Sequence, residues 1–347
     1  MHKLFRIFTA ILASACLFGS AFAEGKVMVS LGDSYSSGEG IEPFYGQDDE
    51  MEVKCRNPDW LAHRSEKSWP GLLTLPGVDG TMADHRGENW FFAAASGAKT
   101  DQLLLLSEEE KREGMTAEQE KEYNWRKTEG TGILPPQLDI FNELDAKGLK
   151  ADYVTVTIGG NDMGFAELVK LAMVEFVTLA AGKTPEEKTE IIWERYYVSA
   201  GVCLKIKRAF SDIAARAGGQ ACILVAGYPH TLEPDTGEKT MYFTEDSILI
   251  MNRLADRLNQ ELESITEECH EEGMNICFIP VDRAFEGHGA YAEDPWINPI
   301  IAGSEKQDLK RMMIASKYSM HPNEKGAQAY ALCVQKVIDS LEKGGKN

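Results

Sequence analysis

The sequence predicts an α/β domain of the doubly wound kind, and three observations carry that prediction. Short apolar runs rich in β-branched residues alternate with longer amphipathic stretches. The runs lack the in-and-out alternation of a half-exposed strand, as a parallel sheet covered on both faces requires. Small polar loops follow the runs, at the edge where an open parallel sheet binds its ligands.

Four runs read as buried strands: Val27 to Leu31, Tyr153 to Ile158, Ala221 to Gly227 and Ile276 to Val281. The stretch "NWFFAAA" at 89–95 reads as a fifth. Helical patterns cover 138–147, 165–179, 187–217 and 245–272, and a last one covers 326–341. Within 245–272, Ile248, Met251, Leu254, Leu258 and Leu262 recur every three or four residues, the period of a helix with one buried face. Two charge-dense segments, 105–131 and 180–195, are expected as surface insertions on a single domain spanning 24–347.

The chain opens with a basic start, an apolar stretch and Ala21-Phe22-Ala23, the small-x-small pattern that precedes signal-peptidase cleavage. Residues 1–23 are therefore expected to be a removable leader, and the mature chain to be periplasmic or secreted. Cleavage as a lipoprotein before Cys16 fits less well, because the apolar stretch continues past that cysteine. No later stretch approaches the roughly 20 apolar residues of a membrane span.

Lys and Arg number 36 against 55 Asp and Glu, for a net charge of −19. Loss of Lys3 and Arg6 with the leader takes −19 to −21. That sign excludes nucleic acid as an expected partner, since phosphate binding needs cations. Beyond Cys16 the cysteines are Cys55, Cys203, Cys222, Cys269, Cys277 and Cys333. An even number in an exported chain suggests disulfides, with free buried thiols as the alternative, and none shows the CxxC spacing of a zinc site.

Four loops carry the chemistry: "GDSYSSGEG" after the first strand, "ASGAKT" after the second, "IGGND" after the third and "SMHPNEKG" before the final helix. Together they offer a serine, small residues, an asparagine and a histidine, the set that acyl transfer uses. A serine hydroxyl attacks only when a base takes its proton, and histidine titrates in the right range. Attack on a carbonyl places negative charge on oxygen, which needs preorganised donors. The backbone N–H groups of Ser34 and Gly97 and the side-chain amide of Asn161 are candidate donors, and His321 is the candidate base.

These blocks, in this order, resemble the SGNH (GDSL-type) hydrolase superfamily of esterases and lipases. Further blocks, "HRSEKSWP" (63–70), "PPQLD" (135–139), "AFEGH" (284–288), "WIN" (296–298) and "HPNEKGAQAYA" (321–331), are similar to its secreted bacterial branch. The resemblance implies a three-layer α/β/α sandwich around a parallel sheet of about five strands, flavodoxin-like in arrangement. It implies Ser34 as nucleophile, His321 as general base, and Gly97 and Asn161 as oxyanion donors beside the Ser34 N–H. No metal or organic cofactor is implied.

One departure stands out. Many members place an aspartate three residues before the histidine, where this chain has Tyr318. The expectation is a Ser/His dyad whose ring is oriented by a main-chain carbonyl, with that of Tyr318 the first candidate and Asp294 the first carboxylate to inspect. Asp33 and Asp162 are expected to hold loops, and His63 and Arg64 to stabilise a loop beside the site. His288 either lines the pocket or bonds a loop carbonyl; His85, His230 and His270 are expected at the surface or in structural roles.

The leading expectation is an exported esterase or lipase acting on a small-molecule or lipid ester. A carbohydrate esterase that removes acetyl groups from polysaccharide is the enzymatic alternative. A secreted binding module that keeps the fold without turnover is the alternative of another class.

Overall fold

The computed structural model describes residues 25–103, 115–117, 120–121, 134–174, 182–236, 240, 242–301 and 315–344. The leader expected at 1–23 and most of the segment 105–131 lie outside the described residues.

Five strands form one sheet: β1 (Met28–Gly32), β2 (Trp90–Phe92), β3 (Tyr153–Thr157), β4 (Cys222–Ala226) and β5 (Ile276–Ile279). Their order is β2-β1-β3-β4-β5 and every pairing is parallel, the flavodoxin-like doubly wound order. All residues of β1 to β4 are buried, which accounts for the unbroken apolar runs.

The named helices are α1 (Ser34–Ser37), α2 (Ile140–Lys147), α3 (Phe165–Val174), α4 (Pro185–Trp193), α5 (Val202–Arg216), α6 (Glu245–Glu271) and α7 (Glu324–Gly344). The fold is a three-layer α/β/α sandwich, in which α3, α4 and α5 all pack against α6. Helix α6 buries Ile248, Met251, Leu254, Leu258, Leu262 and Ile265 along one face. Each such side chain stabilises the fold by about 1.5–3 kcal/mol when fully buried. Thr244 starts the helix by accepting the Ser247 N–H at 3.2 Å. Helix α7 packs against β4 and β5, with Tyr330 and Val334 fully buried and the Tyr330 hydroxyl donating to the Gly227 carbonyl at 2.8 Å.

The single helix expected over 187–217 is interrupted. Helix α4 runs into a π-helical turn at Glu194–Val198, and Gly201, left-handed at φ +63°, starts α5 on a new course. Within the described part of 180–195, Ile192 and Trp193 are buried, and Arg253 and Arg257 of α6 pair with Glu186 and Glu190 of α4.

The disulfide expectation is corrected: all six described cysteines are free. Cys203 lies on α5, Cys269 on α6 and Cys333 on α7, while Cys222 of β4 and Cys277 of β5 stand on paired strands with their thiols in contact but unbonded. Cys222 and Cys269 are buried, where a thiol serves as a small apolar side chain. Among the described residues no helix is long and apolar enough to cross a membrane.

Candidate active site

Ser34 begins α1 directly after β1, where the chain reverses out of the sheet edge. Gly32 makes the reversal possible. It adopts φ +119°, and a Cβ there would lie 2.4 Å from the Thr157 carbonyl oxygen. Gln137 clamps the same residue, accepting its N–H and donating to its carbonyl, both at 2.7 Å. Asp33 then caps α1 by accepting the Tyr35 N–H at 3.0 Å, and takes the hydroxyls of Thr157 at 2.7 Å and Tyr228 at 2.5 Å. Burial pushes the Asp33 carboxyl up to about 6, against the pull of those donors. It is a loop-holding group, as expected.

His321 comes from the turn before α7. Its Nε2 lies 2.7 Å from Ser34 Oγ, across 287 residues of sequence. Its Nδ1 lies 3.0 Å from the Ser319 carbonyl. Carbonyls only accept, so Nδ1 carries the hydrogen and the Nε2 lone pair faces the Ser34 hydroxyl. The orienting group is therefore a main-chain carbonyl, but that of Ser319 rather than Tyr318. Met320 stands between them at φ +62°, a left-handed turn that brings the Ser319 carbonyl back onto the ring. The Tyr35 hydroxyl fixes that turn by donating to the Met320 carbonyl at 2.9 Å. Asp294 is engaged elsewhere, with Lys325 and the Trp296 indole. Enclosure of the ring holds the His321 imidazole below its usual value, with the Glu39 charge and the Ser319 carbonyl pulling upward.

The two expected oxyanion loops are tied to each other. Asn161 Nδ2 donates to the Ala98 carbonyl at 3.0 Å, next to Gly97, and keeps a second hydrogen. Gly97 is left-handed at φ +78°, with open space where a Cβ would stand. Asp162 strengthens the tie by accepting the Thr100 hydroxyl at 2.6 Å and N–H at 3.0 Å, while burial raises its carboxyl. Arg64 holds the exit of β2, donating to the Ala94 and Ala93 carbonyls at 2.8 and 2.9 Å and to Asp59 at 2.7 Å. Ser34 and His321 are thus in direct contact, Asn161 lines the same cavity as Ser34, and Gly97 joins them through Ala98.

That cavity runs beside Ser34 between α3 and α6. Its apolar wall includes Met163, Phe165, Leu168, Met251, Leu254 and Ala255. His288 bonds the Asp294 carbonyl at 2.8 Å and stacks on Trp296 at 3.7 Å, the loop-bonding reading. His85 bonds the main-chain carbonyl of Asp79, and His230 the carboxylate of Asp256.

Two features escaped the sequence. Gln137 had no visible partner until β1 ended against it. Glu39 is a fully buried carboxylate at the end of the Ser34 loop, 2.9 and 3.0 Å from His63 Nδ1. The only signal for the pair was the presence of its two residues in the blocks "GDSYSSGEG" and "HRSEKSWP". Among the described residues no cluster of His, Cys, Asp and Glu is arranged to hold a metal ion.

No protein-family model matches the chain. A lipase from Streptomyces rimosus is 26% identical over 290 residues, covering 82% of each chain. Two solved structures share the fold: a phospholipase A1 from Streptomyces albidoflavus NA297 and an extracellular lipase from Streptomyces rimosus. The first has TM-score 0.55 and 19% identity, the second 0.54 and 22%, and each match spans 91% of this chain and 99% of the other. With its parallel sheet, its ordered motif blocks and these relatives, the chain is similar to hydrolases of the SGNH (GDSL) type. The similarity to the lipase marks the chain as a carboxylic ester hydrolase.

Proposed function

We propose that this ester hydrolase works through an acyl-enzyme on Ser34, with His321 as its only proton carrier. The observation that carries the reading is the 2.7 Å contact between Ser34 Oγ and His321 Nε2. His321 takes the hydroxyl proton as Oγ attacks the ester carbonyl, and the carbonyl electron pair moves onto its oxygen. The Ser34 and Gly97 N–H groups and the Asn161 amide receive that oxyanion. Collapse expels the alcohol, which leaves with the proton from His321. A water then gives its proton to His321 and attacks the acyl carbonyl, and the second collapse returns the proton to Ser34 Oγ and frees the acid.

The cavity wall indicates the acyl side of the substrate. Its aliphatic and aromatic residues suit a hydrocarbon chain rather than the hydroxyl-covered face of a polysaccharide. The proposed substrate is therefore an aliphatic ester, and the proposed route out of the cytoplasm is the leader at residues 1–23.

Incubation with a fluorophosphonate followed by intact mass and peptide mapping tests the reading. The expected result is a single adduct on Ser34 and none in Ser34→Ala. Folded protein that stays unlabelled would point to a binding module and overturn it.

A further inference from the structure

Glu39 poses a physical problem. Its side chain is fully buried, and an isolated carboxylate in such a place costs several kcal/mol. Burial alone would push its carboxyl up, yet the His63 bond and charge, the His321 charge and a Ser96 bond bring it below the usual range. The protein thus keeps a negative charge inside, next to the proposed machinery, although no step of the acyl transfer passes a proton through it.

The position of that charge is specific. The Glu39 N–H donates to the Ser34 carbonyl at 3.1 Å, so the carboxylate is anchored to the nucleophile's own turn. The next residue, Gly40, accepts from Asn298 Nδ2 at 3.3 Å, and the Asn298 N–H donates to the His321 carbonyl at 2.8 Å. One asparagine therefore couples the Glu39 segment to the turn of the base. Ser96, the third partner, precedes Gly97. His63 is itself held firmly: it is left-handed at φ +49°, stacked on Phe44 at 4.9 Å and flanked by Trp60 at 5.7 Å.

We infer that Glu39, held by His63, is the remote counter-charge of the general base: it stabilises the His321 imidazolium formed as Ser34 attacks, while the Ser319 carbonyl does the orienting. A single bonded aspartate fills both roles in a Ser-His-Asp site. Here the roles are divided between a neutral acceptor in contact with the ring and a buried carboxylate near it. Glu39 is in this sense a positioning residue. The inference rests on the reading of His321 as the base.

The titratable groups around His321 are Glu39, His63 and the Tyr35 phenol, whose ring centre is 5.3 Å from the imidazole. Of these, Glu39 pulls the imidazole upward and His63 pulls it down. Removing the carboxylate must therefore lower the pH at which His321 takes its proton.

The experiment is an NMR titration of imidazole-labelled full-length protein, wild type and Glu39→Gln, beside kcat/KM against pH for a p-nitrophenyl ester. In Glu39→Gln the His321 midpoint is expected to fall by about one unit and the acidic limb of kcat/KM to move with it. Plateau kcat is expected to fall about tenfold with KM nearly unchanged. Should Glu39→Gln fail to fold, His63→Gln retains the carboxylate without its imidazole partner. Its profile should then gain a second acidic limb as Glu39 protonates. An unshifted His321 midpoint in folded Glu39→Gln, or a His63→Gln profile superimposable on wild type, would overturn the inference. Full activity in His321→Ala would instead remove the reading beneath it.

Discussion

His321 Nδ1 donates to the carbonyl of Ser319 at 3.0 Å, an acceptor without formal charge, while Nε2 faces Ser34 Oγ at 2.7 Å. The ring is thereby fixed in one tautomer by backbone alone, and its orientation depends on its turn rather than on a carboxylate bonded to it.

The dyad gives the first prediction. Ser34→Ala and His321→Ala are each expected to lower kcat/KM for p-nitrophenyl esters by about 10³-fold or more while the far-UV circular dichroism is unchanged. In the wild type, activity rises with pH as His321 loses its proton. Enclosure of the ring lowers the imidazole, so the acidic limb should lie below the usual histidine midpoint of about 6.5. Wild-type rates in either variant, or a limb above that midpoint, would contradict the assignment.

The second prediction concerns the oxyanion loops. Asn161→Ala removes the proposed oxyanion donor together with its bond to the Ala98 carbonyl. It should cost about 10²–10³-fold in kcat with little change in KM. Thr100→Val breaks the hydroxyl bond to Asp162 at 2.6 Å, loosening the same loops, and should cost less, about tenfold. Steady-state kinetics on both variants checks the order, and a larger loss from Thr100→Val than from Asn161→Ala would count against it.

Much of this was legible in the sequence because it is local. The strands announce themselves as β-branched runs, and α6 by its three-or-four spacing from Ile248 to Leu262. Ser34, Gly97, Asn161 and His321 could be singled out because each lies in a short block, three after strands and the last before the final helix. What stayed hidden depends on encounters between distant segments. The Ser319 carbonyl reaches the ring only because Met320 turns left-handed, and Glu39 finds His63 only once both loops close over the nucleophile turn. The break at Gly201 was missed because its helical flanks keep an apolar period on both sides. The cysteines misled for another reason: an even count carries no information about distance.

The third prediction follows from Asp33. Its carboxyl is pushed from 3.8 to about 6 by burial, so the folded protein binds this proton more readily than the unfolded chain does. The sign is then set. Stability contributed by this group is full below about pH 4, falls as pH rises through about 6, and is flat beyond. At about 1.36 kcal/mol per unit, the loss amounts to about 3 kcal/mol. Asp33→Asn should flatten that slope. Urea unfolding of both proteins at pH 4, 5, 6 and 7 measures it, and parallel curves would show that another group carries the dependence.

The fourth prediction tests the acyl cavity. Ala255 faces it from α6, opposite Phe165 and Leu168 of α3, in a stretch where Leu254 and Leu258 also reach the cavity. Ala255→Phe adds a ring where a chain would lie but leaves Ser34, His321 and the oxyanion loops untouched. Each methylene that no longer fits forfeits about 1 kcal/mol or more of transition-state binding. Octanoate and longer p-nitrophenyl esters should therefore lose about tenfold or more in kcat/KM, whereas acetate stays within about twofold. A uniform loss along the series would mean that the substitution disturbs the fold. An unchanged series would mean that the chain lies elsewhere, and activity on acetylated xylan in preference to any aliphatic ester would then favour the carbohydrate esterase.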